Sequence, residues 1–210
     1  MVDVETFKLL HIFSGDIKTV RCVAFSSLQS KGNNDNESNS IGVIGGNGYT
    51  ICSGSDDKII RVFDIETTKQ LTLFKGHGDW VNSIKYGSNE LGISGGANTI
   101  LSGSNDHSVR LWDIMSKFKY STDIKVEYVL LNTHHFSNVI CSGSDDNTIR
   151  FWDIRSNKKE LYMIKGDDQK DVGILSLKFQ QIKQKEKVNK INDDINLCYG
   201  SYGGFIHFWG

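Results

Sequence analysis

The chain has 210 residues, 38% of them apolar and 23% charged, which is enough to bury a sizeable core and argues against global disorder. Its 24 Lys and Arg are offset by 25 Asp and Glu, so no basic field draws it to nucleic acid or to an anionic membrane surface. Proline is absent while Gly numbers 21 and aromatics make up 10%, a mixture suited to many short strands joined by tight turns.

The N-terminal stretch MVDVETFKLL has two early acids and no long apolar core, unlike a secretory signal. No apolar run reaches the roughly 20 residues needed to span a bilayer. Reduced thiols in the cytosol or nucleus are therefore expected for the four cysteines, and the sequon Asn36-Glu37-Ser38 carries no weight. Glu5 to Phe13 reads as a strand, and FSGDIKTVRCVAF, from Phe13, leads into a second. Next comes a polar insertion, 27–48, and then SGSDDKIIRVFDI from Ser53.

From there the chain repeats itself. FKGHGDWVNSIKY, from Phe74, copies the Phe13 segment, and SGSNDHSVRLWDI, from Ser102, copies the Ser53 segment across an insertion at 87–98. A degenerate stretch from Phe118 to Leu131 and an insertion at 132–138 precede SGSDDNTIRFWDI, from Ser142. KGDDQKDVGILSLKF, from Lys165, is a looser copy of the upstream half; after an insertion at 180–196 comes GSYGGFIHFWG, from Gly200. In each copy a Gly (54, 103, 143, 200) precedes an aromatic (Phe63, Trp112, Trp152, Trp209) by nine positions. Successive aromatics lie 49, 40 and 57 residues apart. A unit of about 40 residues with insertions matches the period of a four-stranded propeller blade, and the 3.6-residue stripes of a helical solenoid are missing.

Within each copy Ile60 and Val62 should point one way and Arg61 and Phe63 the other. Apolar groups on both faces imply a strand packed between two neighbouring sheets. Cys52, Cys141 and Cys198 share one repeat position with Leu101. Equivalent positions in successive units do not approach to disulfide range, so these cysteines read as small buried hydrophobes.

A Gly-His dipeptide (Gly76-His77), a Ser-Gly-Ser-x-Asp turn (Ser102 to Asp106) and Trp112-Asp113 together resemble the WD-repeat family over nearly the whole chain. The resemblance implies an all-β fold, a β-propeller of four-stranded antiparallel WD-repeat blades. Four units, about 5–65, 66–114, 115–154 and 155–210, would form a single domain over 1–210. It also implies a buried hydrogen-bonded network of His77, Ser102, Asp106 and Trp112, in which an indole donor, a neutral imidazole and an acceptor-only carboxylate follow in order. Departures are visible: Asp16 and Asp167 stand at the His position, the third unit has no Gly-His, Phe63 replaces a Trp, and Gly203 replaces the last turn Asp. The incomplete units are expected to rely more on apolar packing and to open more readily.

Several constellations mimic chemistry. The Gly-rich run Gly42 to Gly48 has no helix after it to hold phosphate. His134-His135 are adjacent, so on a strand they face opposite sides. No Gly-x-Ser-x-Gly elbow exists. No metal, cofactor or catalytic residue is expected.

In WD-repeat propellers the insertions lie on the bottom face, where these polar segments read as solvated loops. The top face commonly holds partners. Carried over, the candidate partner-binding residues are Asp56, Asp79, Trp80, Asn105 and Asp145, with Trp80 read either as a binding anchor or as packing at a blade edge. The expected function is a non-catalytic protein-interaction scaffold for a peptide or domain carrying Lys or Arg. A propeller-based hydrolase, needing convergent titratable groups at the ring centre, and a fragment of a larger WD-repeat regulator are the competing readings. Propellers span four to eight blades, and the family usually has about seven. Four ordinary units should therefore form an open arc with apolar ends, covered by self-association or by another blade-bearing chain.

Overall fold

The computed structural model describes residues 9–26, 49–87, 99–114, 119–122, 130–133, 139–153, 160–181 and 195–209, and all regular structure among them is β-strand. The first sheet is β1 (Val20–Phe25), β2 (Thr50–Ser55), β3 (Ile59–Asp64) and β4 (Gln70–Lys75). The second is β5 (Val81–Tyr86), β6 (Thr99–Ser104), β7 (Val109–Asp113) and β8 (Lys119–Thr122). The third is β9 (Leu130–Thr133), β10 (Val139–Gly143), β11 (Thr148–Asp153) and β12 (Glu160–Lys165); the fourth is β13 (Ile174–Gln181), β14 (Ile195–Ser201) and β15 (Ile206–Trp209). Each sheet is an antiparallel meander with strands side by side in chain order. The insertions over 27–48, 88–98, 134–138 and 182–194, with the Gly42 to Gly48 run, the sequon and His134-His135, lie outside the described residues.

The turn sequence explains the central hairpins. In Ser-Gly-Ser-x-Asp the second Ser hydroxyl accepts the Asp N–H, at 3.1 Å in each of the first three sheets (Ser55, Ser104, Ser144). The Asp carboxylate then accepts the N–H two residues on, at 3.0 Å in all three. The residue between sits in the left-handed region at Lys58, His107, Asn147 and Gly204 (φ 63° to 80°) and closes an i to i+3 backbone bond. Asp and Ser are the residue types whose short side chains stabilise such a turn locally.

Successive sheets pack the first two strands of one against the first strand of the next: β1 and β2 on β5, β5 and β6 on β9, β9 and β10 on β13. As the alternation predicts, β3 is buried on both faces, with Ile60 and Val62 on one and Arg61 and Phe63 on the other. Between the first two sheets Cys52, Ile60, Val81, Ile84 and Trp112 form one core; Cys141, Ile149, Ile174 and Tyr199 form another between the last two. All four cysteines are free thiols.

The arc does not close. Val20, Val23 and Phe25 on β1 and Ile206, Phe208 and Trp209 on β15 remain 46–80% exposed, because no sheet covers either end among the described residues. The strand read over Glu5 to Phe13 is not formed in its described part, 9–13. Leu9, Leu10 and Ile12 are exposed, and Phe13 packs on Phe63 with ring centroids 5.5 Å apart. A strand there needs the edge of a preceding sheet, which an open arc does not supply.

Candidate functional site

In the second sheet the chain brings His77, Ser102, Asp106 and Trp112 together. Trp112 Nε1–H donates to Ser102 Oγ at 2.8 Å, Ser102 Oγ lies 2.7 Å from His77 Nε2, and His77 Nδ1 lies 2.9 Å from Asp106 Oδ2. Since Trp only donates and the carboxylate only accepts, this order makes the Ser102 hydroxyl the donor to Nε2 and places the imidazole proton on Nδ1. Asp106 also accepts from the Gly78 N–H (2.7 Å) and the Ser108 hydroxyl (2.6 Å). Burial pushes the Asp106 carboxyl up, but the hydrogen bonds from His77, Ser108 and Gly78 outweigh it and hold it well below the usual carboxylate range.

Two measurements check this network. His77→Ala should cost about 1–3 kcal/mol in urea unfolding, because it strips a donor from Asp106 and leaves the Ser102 hydroxyl without its acceptor. A carboxyl depressed on folding adds stability that is fully present above its unfolded pKa of about 3.9 and is lost as the pH falls from there through its folded value. Asp106→Asn should therefore show a shallower loss of stability than the wild type below about pH 4; equal slopes would place the acid-labile group elsewhere.

The other sheets do not simply fall back on apolar packing, which corrects that expectation. In the first sheet Asp16, at the His position, accepts from Ser53 Oγ at 2.9 Å and pairs with Arg61 Nη1 at 2.5 Å, while Arg61 Nη2 reaches Asp57 at 2.8 Å. Phe63 brings no indole N–H, so Ser53 lacks that donor, and its own hydroxyl proton goes to the Asp16 carboxylate where Ser102 gives its proton to an imidazole. In the third sheet Trp152 Nε1–H donates to Ser142 Oγ at 3.0 Å. In the fourth the acid is Asp171, not Asp167. Asp171 is buried, lies 2.7 Å from His207 Nε2, and accepts from Tyr199 (3.4 Å) and from the Asp167 N–H (3.0 Å). Three additional residues before β13 carry Asp167 away and bring Asp171 in. Gly203 has a related reason, since a Cβ there would lie 1.7 Å from the Lys170 carbonyl of that longer loop.

Sequence reasoning missed a column of cations. Arg61, Arg110 and Arg150 each pair with the turn acid four residues earlier, at 2.8, 3.5 and 3.2 Å, and His207 stands at the fourth such position. The signal was their shared place in the repeat.

Above the networks lies the rim. Trp80 is 40% exposed, and the Arg21 guanidinium carbon sits 4.1 Å from its ring centroid. Arg21 also pairs with Asp56. The Asp79 carboxylate accepts the Trp80 N–H at 2.8 Å, and the Asp79 carbonyl accepts Ser104 Oγ at 3.1 Å. Asn105 takes a bond from Asn82 Nδ2 at 3.2 Å, so residues 21 and 82, one step into β1 and β5, reach the same turn position in their sheets. In the fourth sheet Leu175 stands at that position, and Asp145, in the turn of the third sheet, is exposed beside Gly173. The structure thus gathers Asp56 and Trp80 around Arg21, with Asp79 beside Trp80, while Asn105 and Asp145 occupy the equivalent turns of later sheets.

The sequence profile of the WD domain, G-beta repeat, matches residues 7–64, 68–113 and 129–153, more than half of the chain. The chain belongs to the WD-repeat family. No curated protein matches it significantly. Among solved structures, the computationally designed Ika4 protein is similar at 21% identity and a TM-score of 0.64, over 97% of this chain and 98% of that one. The computationally designed Ika8 protein is similar at 23% identity and a TM-score of 0.55, over 76% of this chain and 42% of that one. At these identities the likeness concerns the fold alone.

The hydrogen-bond order in this WD repeat, Ser102 to His77 to Asp106, is that of a nucleophile, base and orienting acid. Ser102 is 0% exposed, however, and its oxygen already takes the Trp112 indole proton. The arrangement clamps strands together and offers no surface to a substrate. Among the described residues no group of three or more His, Cys, Asp or Glu is placed to hold a metal ion.

Proposed function

We propose that the protein is a non-catalytic WD-repeat scaffold that receives a basic segment of a partner protein on the rim formed by Asp56, Asp79, Trp80, Asn105 and Asp145. The observation that carries this reading is the seat of Arg21. An indole face and a carboxylate already hold a guanidinium there, so the rim has the chemistry that recognises one. A partner Arg or Lys would take Arg21's place or extend the same acidic surface. WD-repeat domains in general mediate contacts between proteins, and the buried tetrad supports a rigid frame under this rim. Burial pushes the Cys22 and Cys52 thiols up to about 12, so they stay protonated and inert. All four cysteines are free thiols, which fits a reducing compartment, and cytosol or nucleus is the location proposed.

Affinity capture from cell extract with quantitative mass spectrometry tests the reading. Trp80→Ala should weaken partner binding by about 1–2 kcal/mol, roughly five- to thirtyfold, with the fold intact. Arg21→Ala should strengthen it by freeing Asp56 and the indole. A partner set unchanged by both variants, yet lost on deletion of the 182–194 insertion, would move the site to the opposite face.

A further inference from the structure

The two uncovered ends of the arc match each other in the register that joins its interior sheets. Val81, Ile84 and Tyr86 of β5 face the first sheet, and Ile174, Leu177 and Phe179 of β13 face the third. Val20, Val23 and Phe25 hold the same three positions on β1. On the receiving side the contact of the first sheet with the second, and of the third with the fourth, is made over a glycine. A Cβ at Gly54 would come within 2.7 Å of Val81 and 2.9 Å of Ile84, and one at Gly143 within 2.8 Å of Ile174. Gly200 is the same position on β14, and there the nearest neighbour is Ser176 of its own sheet at 3.8 Å. Phe179 meets Phe151 with ring centroids 6.2 Å apart; the matching pair is Phe25 and Phe208, one at each open end. Burial shows the difference: Ile84 is 6% exposed and its counterpart Val23 56%, Ile149 is 1% exposed and its counterpart Ile206 80%.

We propose that two copies of this chain pair head to tail, the β1 face of each seated on the β14–β15 face of the other, to close one ring of eight sheets. The occupant is a second copy because the chain itself carries both halves of the contact in matching register. Two copies are required because one leaves both faces exposed, and three would give twelve sheets against the four to eight that propellers use. A head-to-tail contact closes only when rotation returns the second copy to the first, which a twofold axis does. By the same register Leu9 to Ser14 corresponds to β4, the outer strand of the preceding sheet, so in the dimer it adds a fourth strand along the partner copy's β15. This interface uses sheet faces and not the rim, so it stands independently of the partner-binding reading.

Light scattering and sedimentation of the purified chain at micromolar concentration should give about 47 kDa, twice the 23.6 kDa of one copy. Val23→Glu and Ile206→Glu should each yield monomer, while Trp80→Ala stays dimeric. Mixing the two charge variants should restore dimer, because each keeps the face the other has lost; a misfolded variant does not complement. A wild-type monomer would mean that other blades cover these ends and overturns the proposal. So would a ladder of larger oligomers, or a dimer that survives both charge substitutions.

Discussion

Replacing Arg61 with alanine should destabilise the protein by about 3–5 kcal/mol, the cost of breaking a largely buried ion pair from one side. The guanidinium sits between Asp16 and Asp57, at 2.5 and 2.8 Å, and all three side chains are largely buried. Without it two largely buried carboxylates are left with no counter-charge. The double variant Arg61→Ala with Asp16→Ala should recover part of the loss, because it also removes one of the stranded charges. Chemical unfolding of both variants checks the assignment, and a single-variant loss below about 1 kcal/mol would mean that the first sheet does rest on apolar packing after all.

Trp112→Ala is expected to be comparably severe, at about 3–5 kcal/mol. The indole is buried, packs tilted against Phe74 with ring centroids 5.2 Å apart and meets His77 edge-on at 5.7 Å, so alanine opens a cavity in the core between the first two sheets. It also deprives Ser102 of a donor. Trp112→Phe separates the two effects: it keeps most of the volume and loses the hydrogen bond, and should cost about 1 kcal/mol beyond the change in packing. Phe63 shows that the fold tolerates this chemistry where a neighbouring acid takes up the serine. A Phe variant as unstable as the Ala variant would assign the stability of this blade to the hydrogen-bonded chain and not to the ring.

What the sequence by itself determined was the repeat and everything local to it. The nine-residue spacing from Gly54 to Phe63 and from Gly103 to Trp112 sets the hairpin register. The Ser-x-Asp turn satisfies its own backbone within four residues, and alternation puts apolar groups on both faces of β3; each of these is decided by neighbours in the chain. His77, Ser102, Asp106 and Trp112 were legible through the resemblance to the WD-repeat pattern, and three of them lie in one hairpin.

Tertiary structure alone decided three matters. Which acid replaces a missing His depends on the path of a loop, so Asp16 enters its network directly while Asp171, and not Asp167, enters the fourth. The environment of Trp80 depends on Arg21, which reaches it from the preceding sheet across 59 positions of sequence. Whether Leu9 to Phe13 forms a strand depends on a sheet edge that an open arc of four blades lacks, because a strand's hydrogen bonds are made with a neighbour and no sequence carries its neighbour with it.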